Sequence, residues 1–321
     1  MTKPYEIYDL LQDYAAATAA VEEIIFGLVW TYCEADAVGL AMSPGLPSRT
    51  LAWSGTLRGR PLHQLTPWLR EFDVHQATVG LAAVNAGINR LRLPAPAAVL
   101  QRQPQPEADN NLEVFEHFLP QIRDRKSVCV GRYPGLDRFI AAHRLDMAVL
   151  ERQPGQGDLP DSASEYLLPP AEWVFLTASS LANKTFPRLA ELSRNAITVL
   201  MGPSTPWLPE FRHFGIDYLA GVEVADPALL RQTVAEGGGV RIFDGGVRYR
   251  IAPLTAAAAQ DWTRQLIART VQEKDGLQQA MEHWYGAGNR QRFPGHPRLE
   301  QANVRLSRLD TCFKTLWDGA S

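Results

Sequence analysis

Apolar and polar positions follow first a helical and then a strand-like period over the first ninety residues. Apolar side chains fall three or four positions apart over residues 5–25, the spacing of an amphipathic helix. Short β-rich runs come next, and further helical stretches complete the segment. The predicted elements are a helix at 5–25, strands at 26–33, 37–42 and 51–53, and helices at 62–71 and 75–91. This order predicts a small α+β domain over residues 1–93.

The segment 94–111 differs in composition from its neighbours. Pro94, Pro96, Pro104 and Pro106 lie here among Gln, Ala and Asn residues. Polar runs that are rich in proline are typical of linkers. We therefore predict a linker between the first domain and the rest of the chain.

Short apolar strands alternate with helices over residues 112–254. Strands are predicted at 127–130, 147–150, 173–177, 197–201, 218–222, 240–243 and 247–251, the last two joined by a turn at 244–246, and helices at 112–122, 137–143, 186–193, 208–214 and 227–236. Such alternation is typical of a mostly parallel sheet with helices on both faces. The predicted fold class is therefore α/β.

Residues 255–321 have a helical pattern. The apolar stripe in the second half of this tail is spaced by three and four residues and consists of Leu299, Ala302, Leu306, Leu309, Phe313 and Leu316. Together with the helical run that precedes it, the stripe predicts a helical hairpin. The hairpin would pack on its own chain or on a second copy, and we expect a homodimer.

Composition and charge exclude some classes of function. Of the 321 residues, 45% are hydrophobic, and the formal net charge of -3 gives no reason to expect binding of nucleic acid, which normally requires a basic face. The apolar run Ile24–Trp30 is far shorter than the roughly 20 residues that cross a bilayer, and no signal peptide is evident. We expect a cytoplasmic protein that binds neither nucleic acid nor membranes.

Two hydroxyl-rich loops follow consecutive predicted strands. Ligands of open parallel sheets bind outside the carboxyl ends of the strands. The loop after 173–177 carries Ser179, Ser180, Asn183 and Lys184 ahead of a helix, whose free N–H groups suit an anion. Ordinary helix capping by Ser or Asn is the alternative explanation. The next strand is followed by the sequence Gly-Pro-Ser-Thr-Pro, which contains Ser204 and Thr205. The pair of loops predicts a site for an anionic small molecule.

The ends of the first two parallel strands carry charged residues. The first strand is followed by Gly131-Arg132-Tyr133-Pro134 instead of GxGxxG, which disfavours classical NAD(P) binding. Glu151 ends the second strand, where an acidic residue can bind a ribose, and Asp158 follows shortly after. Arg132, Glu151 and Asp158 are therefore candidate ligand-binding residues. A solvated strand end is the alternative for Glu151.

The sequence contains no evident metal-binding motif. The seven histidines are scattered, the three cysteines are far apart, and no HxH, HExxH or CxxC pattern occurs. A metal ion remains a candidate cofactor, with Glu151 and Asp158 as its candidate ligands.

In the first domain, Asn85 lies in a helical segment, 80–86, whose other residues are small or apolar. It is either bonded to backbone or directed into a cleft between the two domains.

Several of these motifs resemble one known family, the "putative heavy-metal chelation" family. The similar segments are the Gly-Pro-Ser-Thr-Pro loop at 202–206, the stretch 177–185, the turn 131–134, the acidic residues Glu151 and Asp158, and the helix segment 80–86. The resemblance covers roughly residues 10–250. It implies an enolase N-terminal-like domain followed by a Rossmann-like domain at 112–254, and a role in handling heavy metals.

The chain departs from the family pattern in three ways. Ala178 replaces the usual glycine, and Arg132 replaces the usual histidine, which removes a potential metal ligand and introduces an anion binder. The helical tail 255–321 has no evident counterpart.

The leading hypothesis is a protein that binds a small molecule or a metal complex in the cleft. Whether it is an enzyme, and which residues would then be catalytic, is unknown from the sequence. The alternatives are an enzyme acting on a nucleotide-like or S-adenosyl ligand, and an interaction protein that works through the helical tail.

Overall fold

The computed structural model describes residues 3, 5–46, 48–91, 98–99 and 110–318. Most of the predicted linker at 94–111 lies outside these residues. The described part of the chain contains a three-stranded antiparallel sheet, an eight-stranded mostly parallel sheet and two long C-terminal helices.

The three-stranded sheet packs against helices that precede and follow it in sequence. The elements are α1 (Glu6–Ala15), β1 (Glu23–Phe26), β2 (Trp30–Glu34), β3 (Val38–Met42) and α2 (Val74–Asn89), with 3-10 helices at Leu62–Gln64 and Thr66–Arg70. The carboxylate of Asp73 caps α2 by accepting hydrogen bonds from the backbone N–H groups of His75 and Gln76. Gly39 allows the close approach of α2 to β3, since a β-carbon there would lie 2.1 Å from the carbonyl oxygen of Ala82.

Three sequence predictions for this region are wrong. The helix predicted over 5–25 ends at Ala15, because Ala16 leaves the helical conformation and residues 23–26 pair with β2. The strand predicted at 26–33 is interrupted at Gly27, where a β-carbon would lie 2.6 Å from the carbonyl oxygen of Val234. Residues 51–53 form a turn closed by a hydrogen bond from Ser54 N to Leu51 O, and not a strand.

The eight-stranded sheet has the order β4-β11-β10-β9-β8-β5-β6-β7. Its strands are β4 (Ala98–Val99), β5 (Ser127–Val130), β6 (Met147–Glu151), β7 (Leu159–Pro160), β8 (Trp173–Thr177), β9 (Ile197–Met201), β10 (Tyr218–Val224) and β11 (Val247–Pro253). The helices are α3 (Glu113–Ile122), α4 (Leu136–His143), α5 (Ser164–Leu167), α6 (Phe186–Leu192) and α7 (Pro227–Ala235), with 3-10 helices at Asn110–Leu112, Asp161–Ala163, Ala178–Ser180, Pro209–Phe214 and Val240–Asp244.

The direction in which the chain crosses the sheet reverses at β5. From β5 the chain moves outward to β6 and β7, and then returns to β8, on the other side of β5, before it continues to β9 and β10. Neighbouring strands from β7 to β10 are parallel, whereas β11 runs antiparallel to β10. This arrangement confirms the predicted Rossmann-like α/β fold. The loops after β5 and β8 diverge at the reversal point, where open α/β sheets bind ligands.

The prediction of a β-hairpin at 240–251 is wrong. Residues Val240–Asp244 form a 3-10 helix, and β11 pairs with β10. A short apolar run such as 240–243 does not by itself distinguish a strand from a buried helical turn.

The C-terminal helices α8 (Ala256–Gly286) and α9 (His296–Asp318) form the predicted hairpin. The first half of α8 buries Trp262 and Leu266 in the same apolar core as α1, and Leu309 of α9 joins this core. The buried face of α9 is shifted from the predicted stripe. Arg305 and Cys312 are buried, whereas Leu306 and Phe313 are only half-buried. The guanidinium of Arg305 tolerates this position because Nη1 lies 2.8 Å from Oε2 of Glu273.

One apolar core therefore includes residues of α1, of the large sheet and of the hairpin. The division of the chain at 1–93, 94–111, 112–254 and 255–321 remains a prediction. Within the described residues, no helix combines the length and the apolar character that crossing a membrane requires.

Candidate functional site

A cleft of about 1480 Å³ lies at the carboxyl ends of the parallel strands. Its floor is formed by the loops that follow β5, β6, β8 and β9. Residues from β2, from the end of β3 and the segment 43–46 that follows it, and from the first turns of α2 form the opposite wall. The cleft thus occupies the position that the strand order assigns to ligands in this class of fold.

The loop after β8 begins with hydroxyl groups that are bonded to one another. Thr177 and Ser179 share a hydrogen bond of 3.0 Å between their hydroxyl oxygens. The buried Ser180 donates to the carbonyl oxygen of Thr177 at 2.6 Å. Ser180 therefore shapes the 3-10 turn, and Ser179 is the serine with the more available hydroxyl.

Lys184 ends this loop in an unusual conformation. Its φ of 69° lies in the left-handed region, which costs a residue with a side chain roughly 1–2 kcal/mol. The ammonium group donates to the carbonyl oxygen of Ala182 at 2.8 Å and lies 5.6 Å from the ring centroid of Tyr8. Burial lowers the pKa of this ammonium to about 8, and the charge of Glu71 opposes the shift only in part. Among the described residues, no carboxylate lies within ion-pair distance of Lys184.

Asn183 is a capping residue in this structure. Its Oδ1 accepts hydrogen bonds from the backbone N–H of Thr185 at 3.1 Å and from the Thr185 hydroxyl at 2.6 Å. These contacts are those of an ordinary capping residue ahead of a helix, which was the alternative to anion binding. Its side chain nevertheless lines the cleft.

The loop after β9 joins the floor of the cleft to the opposite wall. Gly202 has a φ of 104°, a conformation that glycine adopts without strain. The Ser204 hydroxyl accepts a hydrogen bond of 2.9 Å from the backbone N–H of Met42. Thr205 is buried, donates to the carbonyl oxygen of Gly202 at 2.7 Å, and is not among the residues that line the cleft.

Asn85 lies beneath the wall of the cleft and not in its lining. The side chain is 1% exposed, and Nδ2 donates to Leu40 O at 2.7 Å and to Ser204 O at 3.0 Å. Asn85 of α2 is therefore bonded to the backbone of β3 and to the backbone of the loop after β9.

The charged residues after β5 and β6 form a connected set. The two carboxylate oxygens of Glu151 accept backbone N–H groups, from Arg132 at 2.9 Å and from Arg152 at 2.7 Å. Asp158 pairs with the Arg132 guanidinium at 2.8 Å and accepts the N–H of Gly155 at the same distance. Arg132 and Glu151 line the cleft, whereas Asp158 lies behind Arg132 and is 6% exposed. These carboxylates hold the loops that border the cleft.

The sequence analysis missed two tyrosines at the cleft. Tyr133 and Tyr249 line it, and among the described residues neither hydroxyl has a hydrogen-bond partner, although Thr177 lies beside Tyr133. Burial raises the pKa of both phenols well above the usual value, so both remain protonated donors. Tyr249 comes from a strand outside the parallel set, and no local sequence signal places it at the cleft.

A metal site made from side chains alone does not fit the described residues. Within them, no three His, Cys, Asp or Glu side chains come together as ligands. Soft metals prefer thiolates, but Cys33, Cys129 and Cys312 are buried in three different parts of the core. Burial also raises the pKa of each thiol, to about 12 for Cys33. A metal in this cleft would have to bring most of its own ligands.

The chain is similar to proteins of one family over most of its length. Two family models match it, DUF4213 over residues 8–88 and DUF364 over residues 113–253, and both are described as "Putative heavy-metal chelation". An uncharacterized protein from Methanocaldococcus jannaschii is 30% identical over 161 residues, which are 48% of this chain and 57% of the relative. The match thus spans little more than half the length of this curated relative.

Two crystal structures resemble the fold. A DUF364-family protein of unknown function from Desulfitobacterium hafniense is 27% identical, with a TM-score of 0.63 over 78% of this chain and 98% of that chain. A DUF364-family protein of unknown function from Pyrococcus horikoshii shares the fold at 18% identity, with a TM-score of 0.63 over 78% of this chain and 99% of that chain. The chain therefore belongs to the family that is described as "Putative heavy-metal chelation".

Proposed function

We propose that this protein binds a small anionic molecule, or an anionic complex of a metal, in the cleft at the carboxyl ends of β5, β6, β8 and β9. The observation that carries the proposal is Lys184. It presents a partly desolvated ammonium to the cleft from a strained backbone conformation, and among the described residues this ammonium contacts a carbonyl oxygen and the face of Tyr8. Strained residues of this kind cluster at ligand sites.

An anionic group would improve the environment of Lys184. A charge that has lost part of its hydration is stabilised by an opposite charge more strongly than an exposed one. Ser179 and Ser204 line the same cleft with hydroxyls that can donate to an anion. In this role Lys184 supplies the charge, and the two serines orient the anion by hydrogen bonds.

The metal is proposed as cargo and not as a resident cofactor. The family description supports a role in metal handling. The described residues lack a set of three convergent ligands, which supports recognition of a metal that an organic anion has already bound. The protein would then recognise the charge and shape of the complex.

The alternative of a nucleotide-like or S-adenosyl ligand has weaker support. It depends on Glu151 as an acceptor for ribose hydroxyls. Both oxygens of that carboxylate already accept backbone N–H groups. The anion proposal uses groups that are less fully engaged.

The proposal can be tested with citrate and with ferric citrate, an anion and its metal complex. Both should raise the melting temperature of the wild type, since a ligand that binds the native state stabilises it. The double variant Lys184→Ala, Ser204→Ala should lose this effect, whereas Lys126→Ala, which removes an exposed lysine at the opposite edge of the sheet, should keep it. Stabilisation by simple metal salts alone, unaffected in the double variant, would contradict the proposal. Native mass spectrometry of freshly purified protein would show any ligand that is retained.

A further inference from the structure

Large apolar side chains are exposed within the cleft. Met42, Leu46 and Val240 are 41%, 46% and 43% exposed, and all three line it. Met42 is the last residue of β3, Leu46 lies in the segment that follows this strand, and Val240 belongs to the 3-10 helix before β11. Apolar surface on facing walls of a concave site is the usual lining for the apolar part of a ligand.

Contacts through Trp30 place Met42 and Val240 close together, at what we call the apolar end of the cleft. Met42 pairs with Trp30 in the register of β2 and β3, and the indole N–H of Trp30 donates to the carbonyl oxygen of Gly239 at 2.9 Å. Gly239 directly precedes Val240. The wall that contains β2 and β3 therefore meets the 3-10 helix beside Val240. The apolar lining continues from this wall to the helix.

Aromatic rings complete this end. Phe243 and Tyr249 are stacked, with ring centroids 4.8 Å apart and an interplanar angle of 23°. Both rings are buried and line the cleft, where Tyr133 also contributes a phenol. Aromatic edges and faces of this kind favour the packing of a further ring.

The apolar end adjoins the proposed anion site. The backbone N–H of Met42 donates to the Ser204 hydroxyl. Thr177 and Met201 are paired in β8 and β9, so the loops that carry Lys184 and Ser204 leave the sheet side by side. The cleft thus offers a cationic and hydroxyl-bearing part followed by an apolar and aromatic part.

We propose that the ligand is an aromatic organic anion, whose ring body lies among Met42, Leu46 and Val240 while its anionic group is held at Lys184. This inference rests on the proposed function for the anionic end of the ligand and adds the class of its body. A bare inorganic oxyanion, or a small aliphatic acid, would leave the apolar end in contact with water.

The inference can be tested by calorimetry with 2-naphthoate, acetate and inorganic phosphate. We expect 2-naphthoate to bind at least about tenfold more tightly than acetate. Val240→Ser and Leu46→Ser should each weaken binding of 2-naphthoate by several-fold and leave phosphate binding unchanged. Val304→Ser, at a position of α9 that is 47% exposed, serves as the matched control and should change neither. All three positions are exposed, so the variants are expected to fold.

The outcomes separate this inference from the proposed function. If phosphate binds in a Lys184-dependent manner but 2-naphthoate gains nothing over acetate, the ring site is disproved and the anion site stands. If 2-naphthoate gains affinity but Val240→Ser and Leu46→Ser have no more effect than Val304→Ser, the ring lies elsewhere and the inference is wrong. If none of the three anions binds, and Lys184→Ala changes nothing, the proposed function itself fails.

Discussion

Asn85 of α2 donates a hydrogen bond from Nδ2 to the backbone carbonyl oxygen of Ser204, at 3.0 Å, and so joins the helix to a loop of the large sheet. The same Nδ2 donates to Leu40 O at 2.7 Å. One buried amide therefore fixes the position of the Ser204 loop relative to β3, which borders the cleft.

Replacing this amide should weaken both the fold and the site. We expect Asn85→Ala to lower the free energy of unfolding by about 2 kcal/mol, because two buried carbonyl oxygens lose their donor. It should also lower the affinity for citrate by displacing Ser204. Asn89→Ala is the matched control, since Asn89 lies one turn along α2 and, among the described residues, donates to Val38 O within β3 and not to Ser204. Equal affinities in the two variants, measured by calorimetry, would argue against the link to Ser204.

Lys184→Gly should separate stability from binding. Glycine adopts the left-handed conformation without strain, so this variant should be more stable than Lys184→Ala by roughly 1 kcal/mol. Both variants lack the ammonium and should lose citrate binding. Chemical denaturation measures the first effect and thermal shift with citrate the second. A glycine variant less stable than the alanine variant would mean that the backbone at 184 is not strained.

Anion binding should depend on pH through Lys184. Because the pKa of its ammonium is about 8, affinity for citrate should fall as pH rises through 8. The stability of the free protein should change in the opposite direction. The unfolded chain holds this proton up to a pKa of 10.5, so unfolding becomes less favourable as pH rises from 8 towards that value. Lys184→Arg keeps its charge and should retain binding through the transition, as calorimetry at several pH values would reveal.

Glu210 should make the stability of the protein sensitive to pH near neutrality. Burial raises the pKa of this carboxyl to about 7, and among the described residues its Oε2 has no hydrogen-bond partner. Among the described residues, the groups that face it are Glu6, Asp13 and Tyr14 of α1 and Arg308 and Cys312 of α9. The stabilising effect of its bound proton should be complete below the ordinary value of 4.5 and lost as pH rises to 7. Urea unfolding at several pH values should show this loss in the wild type but not in Glu210→Gln. The exposed Glu282→Gln should behave like the wild type.

Removal of the tail at Thr255 should destabilise the rest of the chain. Trp262, Leu266 and Leu309 would be lost from the core that they share with α1, and the ion pair between Arg308 and Asp13 would also be lost. Leu309→Ala alone should cost roughly 2–5 kcal/mol. Light scattering on the intact protein tests the predicted homodimer separately. A truncated protein that keeps its melting temperature and its oligomeric state would show that the hairpin is not packed on the body.

Five parallel strands, β5, β6, β8, β9 and β10, could be predicted to within a few residues from the sequence, whereas the two-residue strand β7 was not predicted. Each of the five is a short apolar run between helices, and burial on both faces leaves few alternatives. The run at 240–243 is similarly short but contains the exposed Arg241, and it forms a 3-10 helix because the neighbours of a short isolated run decide its conformation. The helix predicted over 5–25 failed for a related reason, since pairing of residues 23–26 with β2 prevailed over local periodicity.

The loops of the candidate site could be predicted because they follow strands directly. The apolar end could not. Val240 and Tyr249 reach the cleft from the antiparallel edge of the sheet, and Met42 reaches it from another sheet. Only the folded arrangement brings these residues together. Arg305 is buried beside the apolar stripe that periodicity predicts for α9, and its burial depends on Glu273, a partner in another helix.

The apolar core shared by α1, the large sheet and the hairpin also bears on how the molecule unfolds. Residues within the two matched segments, 8–88 and 113–253, are joined by this core to residues beyond both of them. Neither segment can leave it without exposing apolar surface on the other. The protein should therefore melt in a single cooperative transition, and neither segment should fold well when it is produced alone.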